Sequence, residues 1–87
     1  MNSRHKRTLE AIFHRPTKQN LRWADIESML MAMGAERLEG SGSRVKFELN
    51  GLPLFIHRPH PDPNAKAYQV EAVRKFMELI GVEPDGI

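Results

Sequence analysis

Apolar residues recur along this chain with two different periods. Leu9, Ile12 and Phe13 fall at helical spacing, which predicts a first helix over about residues 4–14, limited at its C-terminal side by Pro16. Ile26, Met29, Leu30 and Met33 repeat at i, i+3, i+4 and i+7, the stripe of a helix with one buried face. That second helix runs over about residues 23–33, with Gly34 where a C′ glycine would close it. Asp25 and Glu27 in its first turn suit the positive end of the helix dipole. Trp23 and the methionines read as packing residues, Met31 alone falling off the stripe.

The period then changes to two. A short run over residues 35–38 reads as a first strand, and Glu39-Gly40-Ser41-Gly42-Ser43 as a flexible connection. From Arg44 to Leu49 apolar side chains alternate as Val45, Phe47 and Leu49, and a second run continues from Leu52 to Arg58. Between them stands Asn50-Gly51, the dipeptide favoured in a two-residue type I′ turn. Counting outward from that turn pairs Leu49 with Leu52, Phe47 with Leu54 and Val45 with Ile56, an apolar face that must be core. The opposite face pairs Glu48 with Pro53, Lys46 with Phe55, and Arg44 with His57.

Pro59, Pro61 and Pro63 force an extended loop over residues 58–65. A last helix over about residues 66–80 follows, with Val70, Val73, Met77 and Ile80 along one face, Phe76 and Leu79 widening it, and Gly81 ending it. The expected fold class is α+β: a three-stranded antiparallel sheet packed on helices in the order ααβββα, its other face open.

A chain of 87 residues supports one hydrophobic core. It contains no cysteine, so neither disulfides nor thiolate zinc ligation can supplement that core. A cytoplasmic protein is the expectation, because the basic N-terminus lacks the apolar run of a signal peptide and no window approaches about 18 apolar residues. Net charge is only +2, but residues 1–22 hold six basic side chains (Arg4, Lys6, Arg7, Arg15, Lys18, Arg22) against Glu10 alone. Residues 61–87 lean acidic. This asymmetry fits a protein that meets a polyanion on one side, and equally a solvated surface of uneven charge.

The open sheet face carries Arg44, Lys46, Phe55 and His57, cations beside an aromatic, a combination suited to phosphate contact and base stacking. The alternative is an ordinary solvated face with Phe55 covered by its neighbours. His57-Arg58-Pro59-His60-Pro61 concentrates ionisable nitrogen, and imidazole is the side chain whose unperturbed pKa suits acid–base work near neutrality. Two histidines three apart on a strand point to opposite faces, which argues against a metal site completed by Asp62 or His14. Ser43 lacks an evident carboxylate–histidine relay, so a flexible turn is favoured over a nucleophile. Gly40-Ser41-Gly42-Ser43 lacks the Gly-Lys-Ser/Thr ending of a phosphate-binding loop. No cofactor is called for.

The succession of a helix closing in Met33-Gly34-Ala35-Glu36, a Gly-Ser-Gly-Ser-Arg turn, a hairpin, a His-Arg-Pro-His exit and a helix ending at Ile80-Gly81 resembles the HicA family of bacterial toxins. The resemblance covers about residues 20–82. It suggests a basic helical extension over 1–22, a HicA-like domain over 23–82 and a short tail over 83–87. It implies a double-stranded-RNA-binding-domain-like fold, mRNA interferase activity and neutralisation by a HicB-like antitoxin; the cleavage is expected to need no metal. The family's Gly-Ser-His motif, whose histidine is catalytic, corresponds here to Gly42-Ser43-Arg44. The catalytic histidine of the resembled family is therefore absent, and His57, across the hairpin from Arg44, is the candidate replacement. Arginine cannot act as a base at neutral pH, but it can hold a phosphate and stabilise transition-state charge. The expected catalytic residues are thus His57 and Arg44, with His60 in reserve for a second proton transfer. Lys46, Phe55, Arg58, Ser43 and Gly42 are the expected RNA contacts. A module of the same fold that binds RNA or protein without cleaving is the rival reading.

Overall fold

The computed structural model describes residues 2–85, so Met1 and, of the expected tail, Gly86 and Ile87 lie outside the described residues. Six elements follow in chain order: α1 (Ser3–Phe13), α2 (Trp23–Ala32), β1 (Glu36–Glu39), β2 (Arg44–Leu49), β3 (Leu52–His57) and α3 (Ala67–Leu79). The three strands form one antiparallel sheet in the order β1-β2-β3. The expected α+β architecture, with an antiparallel sheet on helices, is the observed one.

Asn50 and Gly51 both adopt positive φ, 53° and 78°, as a type I′ turn requires. The hairpin register they set pairs Val45 with Ile56, Phe47 with Leu54 and Leu49 with Leu52. Val45, Phe47, Leu49, Leu54 and Ile56 are buried in one cluster with Ile26, Met29 and Leu30 of α2 and Val70, Val73, Phe76 and Met77 of α3. Trp23 joins them, its ring centroid 6.4 Å from that of Phe47 and tilted by 54°. Both α2 and α3 end as expected on a glycine at positive φ, Gly34 and Gly81. Ala35 N–H then reaches back to the Leu30 carbonyl and Val82 N–H to the Met77 carbonyl, the closing bonds of the Schellman motif.

Three local expectations are corrected. The first strand spans Glu36–Glu39 rather than 35–38, because the amide of Ala35 is taken by the cap of α2 and cannot enter the ladder. Leu52, assigned to the core face, is 39% exposed: it lies at the strand end beside the exposed turn residues Asn50 and Gly51. Leu79, expected to widen the apolar stripe of α3, is 63% exposed on the flank facing Pro53 and Phe55.

Helix α1 packs on α2 and α3 and contributes Leu9 and Ile12, both fully buried, to the same core. Its own last turn carries no basic side chain. Buried Arg74 of α3 supplies one, donating from Nε to the Ile12 carbonyl at 2.8 Å and from Nη2 to the His14 carbonyl at 3.1 Å and Thr17 Oγ1 at 3.0 Å. These bonds place a cation at the negative end of the helix dipole and satisfy its last carbonyls. Among the described residues, no helix is long and apolar enough to cross a membrane.

Because Phe47 is fully buried at the centre of this cluster, Phe47→Ala should destabilise the protein by roughly 3–5 kcal/mol. Urea denaturation of the two proteins checks this, and a loss below about 1 kcal/mol would contradict the packing.

Candidate functional site

The register that buries one face of β2 and β3 turns the other outward. On it Arg44 lies opposite His57, Lys46 opposite Phe55 and Glu48 opposite Pro53. β1 adds Leu38 beside Lys46. Leu38, Gly40, Arg44, Lys46, Phe55 and His57 line a shallow open groove. Phe55 is 72% exposed, so most of its ring is open to a ligand. Lys46 reaches over that ring, its Nζ 5.5 Å from the centroid, and also lies 3.3 Å from Glu48 Oε2. Such a solvent-facing ion pair holds little energy, which leaves the ammonium available to an incoming anion. Arg44 is exposed and has no ion pair among the described residues.

The loop from β1 to β2 is shaped around Arg44. Gly40 N–H donates to the Arg44 carbonyl, and a Cβ on Gly40 would stand 3.0 Å from the Arg44 Cβ. Gly42, at the tip, takes φ of 65°. Ser43 follows, its carbonyl accepting from Arg58 N–H at 2.8 Å. Its Oγ lies 3.1 Å from His57 Nδ1. The serine read from sequence as a turn residue and an RNA contact is thus also a hydrogen-bond partner of the candidate histidine. With Nδ1 occupied, Nε2 is the ring nitrogen left to face a ligand. A hydroxyl both donates and accepts, so Ser43 can support either neutral tautomer of His57 or its imidazolium.

The backbone of His57 is anchored from below by a residue that sequence reasoning passed over. Gln69 is 1% exposed, and its Nε2 donates to the His57 carbonyl at 2.6 Å while its Oε1 accepts from Lys66 N–H at 2.7 Å. One buried amide therefore joins the end of β3 to the start of α3. The Lys66 ammonium has no acceptor, so the reciprocal half of this cap uses the Lys66 carbonyl, which receives Gln69 N–H at 2.9 Å. The detectable signal was position: glutamine three residues into a helix, after a basic cap residue, is the reaching half of a capping box.

Arg58 is placed elsewhere than the RNA-contact expectation implied. Its guanidinium meets Glu27 at 2.9 and 3.0 Å and Glu39 at 2.6 and 3.0 Å, beneath the sheet rather than on its outer face. Glu27 also accepts from Trp23 Nε1 at 2.7 Å and Arg37 Nη1 at 2.6 Å. Burial raises the pKa of Glu27, but hydrogen bonds from Arg58, Arg37 and Trp23 outweigh it and bring the pKa down to about 2. The hydrogen bond from Arg58 likewise lowers that of Glu39, and bonds to Glu39 and Glu27 raise that of Arg58. This lattice ties α2, β1 and the residue after His57 into one unit. His60 lies beyond it, exposed on the proline-rich loop, outside the groove and without a hydrogen bond among the described residues. Among the described residues no three His, Cys, Asp or Glu side chains converge.

The same span of chain is matched by a family model. The model described as the HicA toxin of bacterial toxin-antitoxin matches residues 23–82. The chain belongs to the HicA toxin family. The matched span runs from the first residue of α2 past the end of α3, so it contains the whole sheet and the outer-face groove, and α1 lies outside it. A HicA toxin belongs to a toxin–antitoxin system, so an antitoxin is its implied partner. No curated protein and no solved structure matches the chain.

The depressed Glu27 pKa makes a stability prediction with a definite sign. A carboxylate lowered from its ordinary 4.5 to about 2 contributes fully above pH 4.5 and loses that contribution as pH falls to about 2. Glu27→Gln should therefore cost on the order of 2–3 kcal/mol at neutral pH and flatten the acid limb between those values, leaving the shallower dependence from Glu39. Thermal melts of both proteins from pH 2 to 7 check it, and parallel acid limbs would contradict it.

Proposed function

We propose that this HicA-family protein is an RNA-binding toxin that cleaves mRNA without a metal, through His57 and Arg44. The observation that carries the reading is the exposed cross-strand pair itself: His57 opposite Arg44, with Ser43 Oγ 3.1 Å from His57 Nδ1. RNA supplies its own nucleophile, the ribose 2′-hydroxyl, so positioned proton transfer and charge stabilisation suffice for chain cleavage. His57 Nε2 takes the 2′-hydroxyl proton as the oxygen attacks phosphorus. The bond from phosphorus to the 5′-oxygen breaks, a second acid returns a proton to that oxygen, and a 2′,3′-cyclic phosphate and a 5′-hydroxyl result. His60 is the candidate second acid, carried on the loop after β3. Arg44 holds the phosphate and offsets the charge that builds on its oxygens, Lys46 adds a second cation, and Phe55 offers a face on which a base can stack. A HicB-like antitoxin is the proposed partner.

His57→Ala should abolish RNA cleavage and growth arrest while leaving RNA affinity and thermal stability nearly unchanged, since an acid–base group contributes about 10²- to 10⁴-fold in rate. Arg44→His should retain or raise activity if this position carries the chemistry. The assay is cleavage of a labelled RNA with chelator present. A fully active His57→Ala beside an inactive His60→Ala would move the base to His60. Parent and variants that bind RNA but are equally inert would make the non-catalytic binding module the correct reading.

Binding should also weaken with salt, because phosphate neutralisation releases counterions. Replacing Arg44 and Lys46 with glutamine should flatten the plot of log affinity against log salt, by about 0.7 for each cation removed from a single-stranded RNA. A salt-independent affinity would remove the phosphate-binding role from this face.

A further inference from the structure

Helix α1 lies outside the family match and its burial is one-sided. Leu9 and Ile12 face the core, while Arg4, Arg7, Ala11 and His14 project from the opposite side at helical spacing. Arg7, Ala11 and His14 share a surface groove with Lys18, which follows the helix, and Glu10 is the acidic residue at its edge. Arg4, Arg7, Arg15 and Lys18 are exposed, and none makes an ion pair among the described residues. Lys6 is set apart, in a groove with Glu10 and Asp85.

The position of these cations works against the helix. The first turn of α1 contains no acidic residue and begins Ser3-Arg4-His5-Lys6-Arg7, so like charge sits at the positive end of the macrodipole. A helix optimised only to pack Leu9 and Ile12 would carry the opposite sign there. The stripe is also separated from the groove on the sheet: α1 packs on α2 and α3, and the core lies between them and the outer face of β2 and β3.

We infer that the stripe Arg4–Arg7–Lys18 is a second RNA-backbone contact surface, distinct from the groove at Arg44 and His57, which holds the flanking part of a long RNA while the sheet face engages the segment to be cut. This inference rests on the RNA-cleaving reading of the sheet face. With no Phe, Tyr or Trp among its groove residues, the stripe acts chiefly through phosphate contact rather than base reading. It raises affinity by adding a tethered second contact, so it acts only on strands long enough to reach both surfaces.

The test is the full-length triple variant Arg4→Gln, Arg7→Gln and Lys18→Gln beside the parent. Removing cations from the first turn relieves the dipole, so the variant should melt no lower than the parent. Two non-cleavable 2′-O-methyl RNAs serve as probes. One is a single strand of about 30 nucleotides, able to pass around a molecule of 34 × 28 × 21 Å; the other has about six nucleotides, within the range of one stacking platform. The long strand should bind the variant at least about tenfold more weakly at about 0.1 M salt, with the log–log salt slope reduced by about two. The short strand should bind both proteins equally, and a cleavable short RNA should be cut at the same rate. Equal affinity and slope for the long strand would overturn the inference while leaving the sheet-face reading intact. A parent that binds neither strand would overturn both. Unchanged RNA binding together with weakened adsorption to phosphatidylglycerol vesicles would assign the stripe to a membrane surface and overturn it as an RNA contact.

Discussion

Two consecutive residues with positive φ, Asn50 and Gly51, hold the hairpin in the register on which both the core and the candidate site depend. Strand side chains alternate, so the register that sends Val45, Phe47, Leu54 and Ile56 inward necessarily sends Arg44, Lys46, Phe55 and His57 outward. A slip by one residue would exchange the two sets. The hydrophobic face is thus the energetic guarantor of the polar one: moving His57 away from Arg44 along the ladder would require bringing Phe47 into water. A site specified in this way needs few interactions of its own, which agrees with how open its groove is.

Alignment along the ladder alone does not hold the end of a strand. β3 finishes at His57 and runs into a loop with three prolines, where fraying would be expected. Four sets of contacts prevent it. Ser43 meets the imidazole and receives the Arg58 amide, Gln69 holds the His57 carbonyl, and Arg58 is clamped by Glu27 and Glu39. Further on, Trp23 N–H donates to the Pro63 carbonyl and Ala65 N–H to that of Leu21, pinning the loop to the start of α2. The candidate histidine therefore projects from a braced backbone, while His60 projects from the less constrained stretch between these attachments. That difference makes His57 the candidate with the more preorganised geometry.

The N-terminal helix lies outside the family match yet shares one interior with the matched residues. Leu9 and Ile12 extend the core, and Arg74 satisfies carbonyls at the helix end that would otherwise be stranded beside apolar surface. A buried guanidinium bonded to carbonyls and a hydroxyl is stable only if those partners stay in place. α1 and α3 are consequently coupled by polar as well as apolar contacts, while the opposite face of α1 remains free to carry charge.

The helix order, the hairpin, its register and, apart from Leu52 and Leu79, the membership of each face were legible in the sequence because each depends on local rules: a period of 3.6 or 2, a glycine at a cap, an Asn-Gly turn. The cross-strand pairing of Arg44 with His57 follows by counting, so the centre of the candidate site was legible too. Residues whose role depends on distant partners were not. Arg58, a free cation by composition, is held by carboxylates 31 and 19 positions away. Ser43 gains its meaning from a histidine 14 residues on, and Gln69 from a carbonyl 12 residues back. Arg74 reaches 62 positions to Ile12. Hydrogen bonds and ion pairs between remote segments leave no periodicity in a sequence, since any exposed polar residue reads the same until packing brings its partner within about 3 Å. Only the tertiary structure decides which charges are committed to holding the molecule together and which are left to meet a ligand.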